Sequence, residues 1–235
     1  MILQIGWRNI WRNKRRTAVI LTAVIIGVWS MIFLGALMRG ISDRMRQNGI
    51  ATLTGHIQIH RTGFRSDPVI ENRITSPEAV FSALSLLPED AHWAPRIRVS
   101  AVASNARHSA GLNLVGIEPA REAEVSFIGG AVVQGRYLES DDPLGIVVGE
   151  AFIEKFETQL GNKLVLMAQD AKGEIASRAF RIVGVFEAEL ESTEKQFVFV
   201  HVDASQKMLG VGDDICEVAV LLSSHRQVEA TATSL

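Results

Sequence analysis

Between Thr17 and Met38 the chain runs 22 residues without a charge, and arginines crowd both flanks. A helix rising about 1.5 Å per residue covers about 33 Å over that length, enough for a hydrocarbon core of about 30 Å. Backbone polar groups in lipid must be satisfied within the segment, so a lone span there must be helical. Thr17, Thr22 and Ser30 can bond back to the preceding turn, and Gly27 and Gly35 are of a type common in membrane helices. After Met38 the pattern changes rather than stops. In RGISDRMRQNGI, residues 39–50, Ile41, Met45 and Ile50 recur among polar positions, which predicts a polar continuation of the same helix.

Past residue 50 the periods become those of a mixed α and β domain. TGHIQIHR alternates, with Ile57 and Ile59 on one strand face and His56, Gln58 and His60 on the other. TSPEAVFSALSLLP predicts a helix capped by Thr75 or Ser76, with Pro77 at its first position and a buried stripe of Val80, Phe81, Leu84 and Leu87. RIRVSAVAS is a strand with Ile97, Val99, Ala101 and Ala103 inward, and LNLVGIEP is another, which completes a β-α-β-β order.

GGAVVQGRYLESDDPLGIVVGE reads as loop, turn and a buried strand Ile146–Val148. A helix follows over Glu150–Leu160, carrying Phe152, Ile153, Phe156 and Leu160, with Gly161 closing it. Lys163–Gln169 and Ile175–Phe186 form a hairpin turning at DAKG. ELESTEK reads as a solvated loop, and QFVFVHV and ICEVAVLLS as strands around a short helix, Ala204–Leu209, that Asp203 can cap. Residues 224–235 read as the first turns of a helix left unfinished. The fold class is therefore α+β: one N-terminal transmembrane helix, then a mixed α/β extracytoplasmic domain of two subdomains.

Charge orients this arrangement. The formal net charge of −2 hides two opposite parts. Residues 1–46 hold eight basic residues and one acidic; the remainder holds the other sixteen basic and twenty-five acidic. Arg8, Arg12, Lys14, Arg15 and Arg16 precede the span, against Arg39, Arg44 and Arg46 after it, which places the N-terminus in the cytoplasm. Trp7 and Trp11 share one helical face of Met1–Trp11, a pattern suited to an amphipathic segment lying in the membrane interface. An acidic exterior gives nucleic acid no basic footprint. A cleaved secretion signal is the competing reading of the opening. It calls for a shorter apolar region, about 7–15 residues, and a small-x-small site after it, whereas Leu34-Gly35-Ala36 lies inside the run.

Chemistry is sparse. Cys216 is the only cysteine, so no internal disulfide forms. No G-x-S-x-G elbow or G-x-x-x-x-G-K-[ST] phosphate loop is present, and LGVGDD follows a helix rather than a strand. His56 and His60 share a face without a completing ligand set, and Glu187, Glu189, Glu191 and Glu194 read as hydrated loop carboxylates. No catalytic, cofactor-binding or metal-binding residue is nominated, no cofactor is expected, and the chain reads as a non-enzyme. No distinctive apolar groove is legible.

GWRNIWRNKRRT, followed by a span with Gly27 and Gly35, resembles the start of MacB/FtsX-type ABC-transporter permeases. The resemblance extends through GHIQIH, NLVGIEP, GRYL, GIVVGEAFIEKFETQLG, FRIVGVFEA, QFVFVHVDASQKMLG and EVAVLLS, taken in order, and is nearest to the lipoprotein-releasing LolC/LolE group. It implies a division into residues 1–16 (cytoplasmic amphipathic segment), 17–38 (transmembrane helix), 39–50 (helical stalk) and 51–235 (MacB-like periplasmic core domain, incomplete at its C-terminal end). It implies a permease subunit in a bacterial inner membrane, with a cytoplasmic ABC ATPase as partner and a second permease as homo- or heterodimer mate. Its function would be to couple ATP hydrolysis to periplasmic handling of lipoprotein or another amphipathic substrate. Such permeases carry three further spans, so the chain is expected to be a fragment. The short DAKGE turn lacks the proline-bearing excursion of chaperone-recruiting relatives, and QLGNKLVL lacks the Gly-Asp often seen in the family after that helix. A stand-alone membrane-anchored binding or scaffold module is the alternative.

Overall fold

The structure is a computed structural model that describes residues 14–49, 53, 55–88 and 90–222. The interfacial segment expected over Met1–Trp11 and the helix start expected over 224–235 lie outside them. The chain divides into two compact units, the first ending at Asn48.

The first unit is helix α1, Lys14–Gly49, in which the uncharged span and its polar continuation form one uninterrupted helix; Ile50 lies outside the described residues. It is long and apolar enough to cross a membrane. Its apolar side chains are exposed all round, Met31 at 78% and Trp29 at 69% among them, as a lipid-facing helix requires. Thr22 donates to the Ala18 carbonyl at 2.8 Å, the expected bond to the preceding turn.

In the second unit the described residues form strands β1 (Ile57–His60), β2 (His92–Ser104), β3 (Ser109–Ile117), β4 (Val132–Gly135), β5 (Gly145–Gly149), β6 (Lys163–Gln169), β7 (Ile175–Phe186), β8 (Phe197–His201) and β9 (Glu217–Leu221). Helices α2 (Glu78–Leu84), α3 (Pro119–Val125), α4 (Glu150–Lys155), α5 (Glu191–Gln196) and α6 (Val202–Leu209) connect them. Six strands pair in a closed ring: β2 with β3, β3 with β8, β8 with β5, β5 with β7, β7 with β6, and β6 back to β2. Alternation follows from closure, because every second residue of each strand must face the interior. Ile97 and Val99 of β2, Leu114 of β3, Val148 of β5, Leu164 of β6 and Val200 of β8 accordingly share one core, joined by Phe152 and Phe156 at one helix and Leu209 at another.

The two parts expected of this domain share a strand. β2 is 13 residues long. Its second half closes the ring onto β6, while its first half pairs with β9, and β9 pairs with β1. That wing has its own core, where Leu84, Val80, Phe81 and Leu87 of the expected α2 stripe pack on Val218, Val220, Ile57 and Ile59. A third cluster lies outside the ring: Val115, Val147, Phe186 and Phe199 pack with Ile128 and Leu138, and the Phe186 and Phe199 rings meet edge-on at 5.4 Å.

Six local expectations are corrected. Neither Thr75 nor Ser76 caps α2; Pro77 is its N-cap, and Ser76, at φ 54, donates its N–H to Asp214 Oδ1 at 3.2 Å. The helix expected over Glu150–Leu160 stops at Lys155. Phe156 turns into the ring core, stacked on Phe152 at 4.1 Å, and the Asn105 side-chain amide takes its carbonyl at 2.8 Å, so no further turn forms. Gly161 does not close that helix but donates to Ile182 O at 2.8 Å, at the start of the β6 ladder. Asp203 makes no cap, because α6 begins at Val202 with His201 as N-cap. Residues 119–125 and 132–135, not singled out or read as loop, are α3 and β4.

The sixth correction is ELESTEK, which is not a solvated loop. Residues 191–196 are helix α5, and Glu194 is 6% exposed. Its carboxylate accepts the Ala188 N–H at 2.8 Å and the Ala151 N–H at 3.0 Å, so it caps the start of α4 and ties the α5 approach to it. Gly149 is the residue that permits this, since a Cβ there would collide with the Glu194 backbone. Glu194→Ala is expected to cost about 2 kcal/mol, the value of charge-assisted bonds lost to buried donors. Gly149→Ala should cost about 1–3 kcal/mol by overpacking. Denaturant midpoints followed by circular dichroism would check both, and a neutral Gly149→Ala would show that the α5 approach is slack.

Candidate functional site

Outward positions on a ring wall are normally polar where one face meets water. Along β2 and β6 they are not. Val102 stands opposite Met167, and Ser104 opposite Val165, on the outer face, and Ile175 begins β7 next to them. Val102, Met167 and Ile175, together with Ser100, Gly111 and Gln169, line a groove of about 650 Å³. Ile175 is 81% exposed and Val102 39%, so the groove offers apolar surface at the protein's exterior. Gly111 leaves open space on the β3 side, where no atom stands within 4 Å of a notional Cβ. The groove is the feature that sequence reasoning missed. The signal was in KLVLMAQ: Leu164 and Leu166 face in, Val165 and Met167 face out, and a run apolar on both sides marks a strand with something to cover on each.

Arg96 anchors the opposite end of β2. The outward alternation of RIRVSAVAS suggests a solvated arginine, yet it is 1% exposed. Its Nε donates to Glu122 Oε2 at 2.9 Å and Nη2 to Glu122 Oε1 at 2.7 Å, a two-point pair with α3. Its Nη1 donates to the Leu53 carbonyl and lies 3.6 Å from Glu217 of β9. Burial alone would lower the Arg96 pKa, but Glu122 and Glu217 more than offset it and the net direction is up. The buried Tyr137 phenol nearby is pushed well above its ordinary range, first by burial and then by Glu122, with Arg96 opposing. Its hydroxyl finds no partner among the described residues.

The remaining candidates do not assemble into a reactive centre. His56 and His60 do share a face with Gln58, and all three line a second, polar concavity of about 480 Å³ with Arg98 and Glu217. Among the described residues no three His, Cys, Asp or Glu side chains are placed to hold a metal ion. Glu191 pairs with Lys195 at 2.5 Å, and Glu194 is spent on the α4 cap. LGVGDD is a turn in which Gly210 and Gly212 take positive φ and Asp214 holds Arg73 at 2.7 Å.

Cys216 is buried, and burial raises its thiol from 9.0 to about 12. At pH 8 its thiolate fraction is on the order of one in ten thousand, so thiol reagents should label it only after unfolding. Its pKa is higher folded than unfolded. The contribution to stability is therefore full below about pH 9 and is lost as pH rises toward about 12, because the unfolded thiol ionises first. Alkaline unfolding at lower denaturant in this window, relieved in Cys216→Ala, is the expected result.

The sequence pattern of the MacB-like periplasmic core domain matches residues 17–235. Among solved structures, the extracellular domain of the noncanonic ABC-type transporter YknZ from Gram-positive bacteria is similar at 17% identity and TM-score 0.51, over 74% of this chain and 86% of that one. The periplasmic region of MacB from Actinobacillus actinomycetemcomitans is similar at 16% identity and TM-score 0.53, over 75% and 78%. At these identities the likeness is one of fold. A comparison with curated proteins found no match.

Proposed function

The chain belongs to the MacB-like periplasmic core domain family, a family of transporter domains rather than of enzymes, and from that premise we propose that it acts as a permease subunit of an ABC transporter. In this reading α1 crosses a bacterial inner membrane with its N-terminus in the cytoplasm. The domain from about residue 51 stands in the periplasm and takes up an amphipathic substrate, a lipoprotein being one such class. A cytoplasmic ABC ATPase supplies the energy, and a second permease, identical or related, completes the membrane part.

One observation carries the reading: the family match begins at Thr17, the first residue of the uncharged run, and so takes in the apolar helix together with the ring domain. Five basic residues before the run against three after it support the orientation. The groove around Val102, Met167 and Ile175 supports an amphipathic substrate, because exposed apolar surface of this kind marks a contact site.

The test is purification of the full gene product from its native membrane by mild detergent extraction. An ATP-binding cassette protein is expected to accompany it, and ATPase activity of the pair is expected to fall several-fold in Val102→Asp when substrate is present. Retrieval of the chain without any ATPase, under conditions where other membrane complexes survive, would leave the stand-alone anchored module instead.

A further inference from the structure

The polar concavity has the composition of an anion site. It is lined by Gly55, His56, Gln58 and His60 of the β1 strand and its approach, by Arg98 of β2, by Glu217 of β9, and by Phe64, Arg65 and Pro68 of the loop that follows β1. The sheet register places the strand residues side by side: His60 stands opposite Glu217, which in turn stands opposite Arg96, two residues before Arg98. The Arg98 guanidinium carbon lies 5.6 Å from the centre of the Phe197 ring, a face-on contact that leaves its in-plane N–H groups available.

Three observations point to a missing acceptor. The side-chain amide nitrogen of Gln58 is buried without a hydrogen-bond partner among the described residues, and a buried donor left unmade costs about 1–3 kcal/mol. Among the described residues, neither Arg98 nor Arg65 has a carboxylate within ion-pair distance. The one carboxylate lining the space, Glu217, already faces Arg96 at 3.6 Å. Arg96, Arg98 and Arg65 set against Glu122 and Glu217 leave a positive charge in excess, and Arg61 and Asp67 of the exposed loop offset each other formally. His56 contributes no argument of its own, since its Nδ1 accepts the Leu222 N–H at 3.1 Å.

We propose that this concavity binds a phosphate group, held by the Arg98 and Arg65 guanidiniums and the Gln58 amide. Planar guanidinium forks match the paired oxygens of phosphate, and a neutral amide donor beside them fits the same oxygens without adding charge. At about 480 Å³ the space exceeds a bare ion many times over, given roughly 30 Å³ for one water molecule, so it has room for a phosphate carried on a larger molecule as well as for the free ion. A lipid headgroup and a free phosphate ester present the same chemistry. This site is separate from the apolar groove and stands independently of the transport reading.

The test uses the full chain in nanodiscs of zwitterionic phosphatidylcholine, titrated calorimetrically with inorganic phosphate and with sn-glycerol 3-phosphate. Saturable binding of one equivalent is expected, weakened at least ten-fold by Arg98→Gln and by Arg65→Gln, and unchanged by Arg107→Gln, an exposed cation elsewhere. Tighter binding of glycerol phosphate assigns the source to a headgroup-like ester, and equal binding assigns it to free phosphate; both support the site. Gln58→Leu removes the orphaned donor and so should leave the thermal midpoint unchanged or raised while weakening phosphate several-fold. Arg65 is exposed, so its variant tests the proposal even where Arg98→Gln fails to fold. Absence of binding at millimolar phosphate, or binding that Arg65→Gln leaves unchanged, overturns the proposal.

Discussion

Arg96→Met is expected to cost about 3–5 kcal/mol, enough to leave a domain of ordinary stability largely unfolded. The guanidinium is 1% exposed and Glu122 is fully buried at 0%. Removing the cation leaves the Glu122 and Glu217 carboxylates facing each other without a counter-charge, and the Leu53 carbonyl without its donor. The magnitude comes from the stranded partners rather than from the pair itself, since buried pairs replaced whole by apolar residues often cost little. Arg96→Met with Glu122→Leu should therefore recover the share of the loss that comes from Glu122, with Glu217 still lacking its counter-charge. Urea midpoints in a double-mutant cycle measure this; single and double variants that lose the same stability would show that the buried charges are compensated in some other way.

Phe152→Ala should cost a comparable amount, about 3–5 kcal/mol. Phe152 is 1% exposed and stacks on Phe156, also 1% exposed, with ring planes 17° apart. Both belong to the core of the ring, whose strands pair in a closed circle and limit collapse into the vacated space, so the cavity term is expected near its upper range. Phe152→Leu keeps much of the volume and should lose roughly 1.5 kcal/mol or less if the core repacks. A Phe152→Ala loss below about 1 kcal/mol would mean that the ring is compressible and the closed pairing looser than its register implies.

What the sequence made legible was local. The β6–β7 hairpin appears at the expected residues because alternation is strict and Asp170 builds the turn itself, accepting the N–H groups of Lys172 and Glu174 at 2.8 and 2.9 Å. The inward face of β2 was readable for the same reason, and so was the α2 stripe. What stayed hidden depends on partners far along the chain. Ser76 is fixed by Asp214, Ala151 is capped by Glu194, and Arg96 is buried by Glu122; none of these pairs carries a local spacing rule. The glycines of the ordered segments belong to this class as well. A Cβ on Gly149 would strike Glu194, one on Gly116 would strike Ser205, and one on Gly184 would strike the Arg136 carbonyl. The apolar groove was hidden because it exists only once β2, β6 and the start of β7 lie side by side.

The slot between β1 and β2 has a consequence for time. Both are early strands, and they do not pair with each other; β9 lies between them, with Val220 opposite Ile57 on one side and Trp93 on the other. Roughly 160 residues separate His60 from Glu217, which a ribosome takes about 8–30 s to make. Through that interval β1 has no neighbour to accept its hydrogen bonds, and the wing core lacks Val218 and Val220. The ring strands β2 to β8 can assemble earlier, since their pairings are complete without β9. During synthesis β1 therefore waits for β9.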